Sequence, residues 1–545
     1  MTAARSSGGS IARRRLLLAL GFGAANIAVI RRLRPNGRAA QQHSANQQQT
    51  PEAQAPEPST TTVRVVSEPQ QPGEAPQVPV LDATAARSVD QLFDVAIVGG
   101  RVIDPDTGFD HLADVAVAGA TIAAISVDPD APELRAATVI DATGLVVSPG
   151  FIDILSYSPN GYGEWYKLAD GVTANLGMHG LDDRAESWFA ARPDGSSPVH
   201  FGGASDNAHI RIERSLGPYD AAPQGVLDAM LADARADLRD GFIGLHMQPE
   251  YTPGTTASDL RAHAGIAAEH GVPLCVHARY SDNLEPGTNL QAIDELIAAA
   301  RATGAHVHVE HINSTGGTGV MAEALGRIGA AISEGLSMTA CAYPYEFWAT
   351  YLRSARYDDW QSKYGITYGD LQVAGTGQRL TEQTYADAFA ANALTAAFAI
   401  PPADVEMSLQ ADFVMVGSDA ILERSHNNHP RSTGCFSRVL GHYVREREVI
   451  ELPAALAKMT IQPARLLERR CPSLRRKGRL SVGADADITV FDPATVSDRS
   501  TIADPAQESV GIQWVLVEGR PARSPGGFTG APLAGRGLRS DIASA

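Results

Sequence analysis

Five short apolar runs of this 545-residue chain end in residues that can bind a metal or move a proton. They are Leu176-Gly177-Met178-His179, Gly244-Leu245-His246, Cys275-Val276-His277, His308-Val309-Glu310-His311 and Val416-Gly417-Ser418-Asp419. A single histidine more often serves packing or the surface than ligation. Histidines closing four runs, with an acid closing a fifth, point further, because three imidazoles and a carboxylate suit a catalytic zinc that keeps one coordination position open.

For these residues to meet, the runs must be strands of one sheet whose C-terminal ends converge. Eight strand candidates fit, at 147–154, 173–178, 199–202, 241–247, 273–277, 306–311, 337–343 and 413–418. Helical patterns alternate with them, as in Leu227, Leu231, Ala234 and Leu238, which fall on one face at the helical period. Eight strands with intervening helices predict an α/β fold, a closed (β/α)8 barrel with its chemistry at the C-terminal strand ends. The long spacer from 346 to about 400 is expected as a lid or insertion over the mouth.

Short β-rich segments precede the barrel, and a matching piece follows it near 486–491 and 512–517. Two half-sheets flanking a large middle can pair, so a small β-sandwich domain built from both chain ends is expected. The boundaries read as 93–147 for its first part, 148–470 for the barrel, 471–525 for its second part and 526–545 for a tail.

A hydrophobic content of 44% and a charged content of 20% are ordinary for a globular protein. The formal charge is −17, and residues 1–40 carry eight arginines and no acid, which leaves about −25 on the remainder. A body that acidic repels phosphate backbones, so no nucleic-acid partner is expected. Four scattered cysteines are too few for a disulfide framework or a thiolate zinc cluster.

Arg13-Arg14-Arg15 stands before an apolar run from Leu16 to Ile30. The arrangement resembles a twin-arginine export signal, and the run is shorter than the ~20 apolar residues of a membrane span. Arg31, Arg32 and Arg34 follow directly, which would suit a short membrane anchor. The expectation is an exported or membrane-attached protein, with an incidental basic tail on a cytoplasmic protein as the alternative. Residues 41–92, rich in Gln, Pro, Ala and Thr, read as a disordered linker.

Several pieces carry a family resemblance: PGFIDI at 149–154, GVT at 171–173, Glu250-Tyr251-Thr252-Pro253-Gly254, Tyr343-Pro344-Tyr345, FVMVGSD at 413–419 and HPRSTGCFSRVLGHYVRE at 429–446. In order and spacing they resemble the N-acyl-D-amino-acid deacylase branch of the amidohydrolase superfamily, from about Phe93 to Arg520. The resemblance implies a metal-dependent hydrolase of non-peptide C–N bonds acting on a small-molecule amide. It implies His277 and His311 as ligands of the more buried metal, Asp419 as the acid that activates water, and Arg431 as a grip for a substrate carboxylate, with Tyr345 a candidate for the same subsite. His179 stands where that branch commonly has a cysteine ligand.

The departures are as informative. Leu155 and Tyr157 stand where the superfamily places His-x-His, Pro159 replaces an acid just beyond, and Asn313 stands where a lysine often occurs. One zinc per chain is therefore expected, held by His179, His277 and His311 with His246 as a spare candidate. The alternative is a catalytically inactive barrel that binds a ligand.

Overall fold

The structure, a computed structural model, describes residues 92–127, 134–424 and 428–542. The expected leader and all but the last residue of the expected linker lie outside the described residues. Eight parallel strands form the central sheet: Phe151–Asp153, Val172–Leu181, His200–Asp206, Gly244–Met247, Pro273–Val276, His306–Val309, Met338–Ala342 and Val414–Val416. Each pairs with the next in chain order. Helices cover the outside of the sheet, so the strands are almost wholly buried and their sequences run apolar rather than alternating.

Local signals set the helix ends. Ala257–His270 and Asn289–Thr303 begin at capping boxes, Thr256 with Asp259 and Thr288 with Gln291, and both end at a left-handed glycine, Gly271 or Gly304. The helix Gln224–Arg239 buries Leu227, Met230, Ala234 and Leu238 along one stripe.

The predicted first strand, 147–154, is divided. Val146–Pro149 pairs antiparallel with Ile488–Phe491 in a second sheet, and only Phe151–Asp153 enters the barrel. The break falls at Gly150, whose N–H donates to Asp487 O at 2.8 Å and whose position would drive any Cβ into the Thr173 side chain.

The second sheet has nine strands and draws on both chain ends, with the Val146–Pro149 and Ile488–Phe491 pair as its seam. It folds over a core of its own that includes Val95, Ile97, Val115, Val117, Ile488, Val490 and Leu516. A buried charge cluster fastens it to the barrel. Lys477 Nζ lies 2.7 Å from Asp487, 2.9 Å from Asp485 and 2.9 Å from His200 Nε2 at the start of the third barrel strand.

The spacer after the seventh barrel strand forms a three-stranded antiparallel sheet, Trp348–Tyr351, Leu371–Val373 and Leu394–Ala397. The segment expected as a tail lies along the barrel instead: Phe201 N–H donates to Arg536 O and Leu538 N–H to Phe201 O, and Leu538 is buried. Among the described residues no helix is long and apolar enough to cross a membrane.

Glu164, in the first turn of the helix Gly163–Ala169, is buried with one strong partner, Ser197 Oγ at 2.5 Å. Burial pushes its carboxyl up to about 7, against the opposing Ser197 bond. Such a group binds its proton more tightly folded than unfolded. Its contribution to stability is therefore full below the unfolded value of about 4.5 and is lost as pH rises through about 7. Urea unfolding should show the parent losing on the order of 3 kcal/mol relative to Glu164→Gln between the acid and alkaline sides of that window. Parallel pH profiles of parent and variant would refute the assignment.

Candidate metal centre

The C-terminal ends of the barrel strands bring together imidazoles from four of them. His179 lies within the second strand, His246 in the fourth, and His277 and His311 just beyond the fifth and sixth. His277 Nδ1 and His311 Nε2 face each other at 3.0 Å. Their outer nitrogens are engaged elsewhere, His277 Nε2 with Glu250 Oε2 at 2.6 Å and His311 Nδ1 with Thr315 Oγ1 at 3.2 Å. Burial lowers the basicity of both rings, His311 strongly, so both are neutral donors. Two ring nitrogens held face to face, with His277 Nε2 bonded outward to a carboxylate, are a fitting pair for a cation.

Glu310 joins them. One ligand atom each from His179, His277, Glu310 and His311 lies within 4.8 Å of all the others. Glu310 Oε2 is 2.6 Å from His179 Nδ1, while Oε1 is buried without a partner. Burial opposes ionisation of this carboxyl, but the neighbouring His246 and His179 outweigh it and hold it well below the usual range. A buried, ionised carboxylate with a free oxygen beside three imidazoles is the chemistry of a divalent metal site.

His246, the spare candidate, is committed on both sides. Its Nδ1 meets Asp206 Oδ1 at 2.9 Å and its Nε2 is an ion-pair contact of Glu310 Oε2 at 3.3 Å. Burial lowers its pKa, yet Glu310 and Asp206 together lift it to about 10, so it stays protonated and balances Glu310.

Asp419 closes the ring from beyond the eighth strand. Its carboxylate oxygens stand 4.0 Å from His179 Nδ1 and 3.9 Å from His311 Nε2. Tyr157 donates to Oδ1 at 3.0 Å, Arg431 Nη2 forms an ion pair with Oδ2 at 2.7 Å, and Arg431 Nε donates to the Asp419 carbonyl at 3.1 Å. Against burial, Arg431 above all, and then the neighbouring imidazoles, hold the carboxyl well below its usual range. Asp419 and His311 both adopt left-handed backbone, at φ 50° and 26°. Left-handed backbone at non-glycine residues costs on the order of 1 kcal/mol each and persists where surrounding contacts impose it.

Arg431 opens the helix Arg431–Arg438 and is fully enclosed, stacked over the Tyr343 ring at 4.3 Å with its Nη1 unpartnered. Tyr345 is turned elsewhere, because its hydroxyl donates to Asp498 at 3.2 Å and its ring packs beside Arg438 and His429. Leu155 belongs to the apolar core with Ile152, Ile154, Leu176 and Met178. Asn313 staples neighbouring strand ends through Tyr343 O at 2.9 Å.

Four participants were not singled out from the sequence. Glu310 is a charge inside an apolar strand end whose signal the neighbouring histidines mask. Glu250 sat in a motif noticed for its family likeness alone. Tyr157 reads in the sequence as a missing ligand, and only the fold brings its hydroxyl to Asp419. Arg356 had no signal, since it comes from the insertion. It lies 3.5 Å from Glu250 through Nη1, donates to Ser314 O at 2.6 Å and stacks on Trp348 at 4.1 Å. Burial opposes ionisation of Glu250, yet Arg356 and His277 bring it down to about 2.

A second group of suitable residues, His200, Asp487 and Glu518, also clusters. Its centre holds the Lys477 ammonium, which already supplies the positive charge.

A parallel eight-stranded barrel with imidazoles and carboxylates converging at its C-terminal mouth defines the class of metal-centred (β/α)8 enzymes. The chain belongs to the amidohydrolase family, whose model matches residues 168–523. It is 34% identical over 473 residues to an N-acyl-D-glutamate deacylase of Alcaligenes xylosoxydans xylosoxydans, covering 78% of this chain and 93% of that protein. Its structure is similar to that of N-acyl-D-glutamate deacylase from Bordetella bronchiseptica complexed with zinc and a phosphonate inhibitor (TM-score 0.69, 27% identity, 82% of this chain and all of that one). It is also similar to a D-aminoacylase described as having a binuclear metal centre with one-metal activation and second-metal attenuation (TM-score 0.70, 26% identity, 82% and 100% coverage).

A divalent transition metal added to the chelator-stripped chain should raise its thermal midpoint, since a ligand that binds only the folded state stabilises it by mass action. His311→Ala should lose that response. An equal shift in the variant would place the metal elsewhere.

Proposed function

We propose that this protein is a zinc-dependent amidohydrolase that cleaves the amide of an N-acyl-D-amino acid or a closely related small amide, with one zinc per chain. The observation that carries this reading is the convergence of His277 Nδ1 and His311 Nε2, at 3.0 Å, beside Glu310, His179 and Asp419. The similarity to deacylases that act on N-acyl-D-glutamate supports the substrate class.

His277 and His311, with a third donor from His179 or Glu310, would hold the zinc and leave a fourth position open. When bound, zinc polarises an amide carbonyl and lowers the pKa of a water to about 7. The other steps belong to the chain. Asp419 accepts a proton at a carboxylate oxygen from the attacking water and returns it to the departing nitrogen. Tyr157 donates to one oxygen of that carboxylate and Arg431 forms an ion pair with the other, which holds the group in place and leaves lone pairs to receive the proton. Arg431 spends Nη2 and Nε on Asp419 and keeps Nη1, so it can take a substrate carboxylate without releasing the base.

The residues in the first-strand loop support the single-zinc reading. Leu155 is core, and Tyr157 offers a phenol whose proton is donated to Asp419. Burial and the Asp419 charge push that phenol well above its ordinary pKa, so it stays a neutral donor.

Turnover should appear when the zinc-loaded chain is screened against N-acyl-D-amino acids, their L enantiomers, D-aminoacyl amides and hydantoins. Asp419→Asn should lower kcat by about a hundredfold to ten-thousandfold while zinc content, by elemental analysis, stays near one per chain. An unaltered rate in Asp419→Asn would sink the mechanism. Two tightly bound metals would overturn the single-site assignment, and no activity on any amide class would favour an inactive binding barrel.

We also propose export or membrane attachment through the arginine-rich leader. Fractionation should find the full chain outside the cytoplasm and Arg13→Lys/Arg14→Lys retained within it. Identical distributions would refute this.

A further inference from the structure

The insertion between the seventh and eighth barrel strands reaches the carboxylates beside the metal centre. It carries Arg356, in the short turn Ala355–Tyr357, into a fully enclosed position between Trp348 and the Ser314 backbone. The carboxylate it approaches is Glu250, three residues beyond the fourth barrel strand, with Arg356 Nη1 3.5 Å from Glu250 Oε2. Tyr364, from the same insertion, donates to Arg356 O at 3.1 Å and lies 2.9 Å from Ser281 Oγ, which itself donates to Glu250 Oε1. Arg356 and Ser281 thus hold this carboxylate directly, and Tyr364 braces both of them.

That carboxylate has one further partner, His277 Nε2 at 2.6 Å. A carboxylate can only accept, so the proton of His277 sits on Nε2 and the Nδ1 lone pair is turned toward His311. We infer that Glu250, held in place by Arg356, is the positioning residue that fixes the tautomer and ring orientation of His277, so that the insertion sets the metal affinity of the barrel. The inference rests on reading the cluster as a metal centre. Neither Glu250 nor Arg356 need touch the metal or the substrate.

The test uses the purified full chain and two readouts. Nitrogen-15 histidine spectra of the metal-free protein, with His277 assigned by its absence in His277→Gln, should show the Nε2–H tautomer in the parent and a mixture in Glu250→Ala. Zinc affinity by chelator competition should fall by about ten- to hundredfold in Glu250→Ala. It should fall less in Glu250→Gln, whose amide oxygen still accepts from Nε2–H, and also in Arg356→Met. Arg353→Met, at an insertion arginine whose side chain donates to the Phe389 and Ala390 carbonyls, should bind zinc as the parent does.

An Nδ1–H tautomer in the parent, or parental affinity and tautomer in Glu250→Ala, would overturn the inference while leaving the metal centre intact. A parent that takes up no zinc would overturn the metal-centre reading and this inference with it.

Discussion

The barrel closes on a buried ion pair rather than on a ladder. Among the described residues no strand pairing joins the eighth barrel strand to the first. Asp153, at the end of the first, accepts from Ser418 N at 2.9 Å, from Ser418 Oγ at 2.6 Å and from Lys167 Nζ at 2.7 Å, and Lys167 also reaches Ser418 Oγ. Asp419 N–H then donates to Leu155 O. Gly417 allows the approach, since a Cβ there would stand 2.6 Å from that of Leu155. Tyr157 leaves this seam on one side and Ser418 on the other, so the seam places Asp419 and its Tyr157 partner, while Arg431 reaches it from a separate helix. Removing one member of such a pair strands a buried charge, typically at a cost of about 3–5 kcal/mol.

From that seam the mouth is organised as alternating charge. Arg431 faces Asp419, protonated His246 faces Glu310, and Arg356 faces Glu250. The neutral rings of His277 and His311 sit between these pairs. Each carboxylate is desolvated and would neutralise itself if left alone. The cation opposite each keeps it ionised, and the ionised carboxylates in turn fix which imidazole nitrogens carry protons. The orientation of donor atoms is therefore an electrostatic outcome, reached before any metal arrives.

Much of this was legible in the chain. The eight apolar runs marked the barrel strands because strands covered on both faces lack polar alternation, and their terminal His and Asp residues pointed at the centre. Two things were not legible. The split at Gly150 was hidden because Val146–Pro149 and Phe151–Asp153 are equally apolar although they belong to different sheets. Partners distant in sequence were hidden too: Arg356 and Glu250 lie more than a hundred residues apart, and only the fold pairs them. Tyr345 shows the converse, since a tyrosine next to a promising motif was claimed by Asp498, a residue far along the chain.

The seam of the nine-stranded sheet has a bearing on how the chain is made. Ser148 donates to Thr489 O across 341 residues, so the second half of this sheet leaves the ribosome long after the first. At ~5–20 residues per second, the edge of Val146–Pro149 waits on the order of tens of seconds for Ile488–Phe491. During that interval it presents unpaired N–H and C=O groups in an apolar strand, the kind of edge that recruits foreign strands. The barrel, whose neighbouring strands are consecutive in the chain, can form while the edge stands open. Biogenesis thus has its vulnerable moment in the small sheet, remote from the chemistry, and chaperone demand should concentrate there.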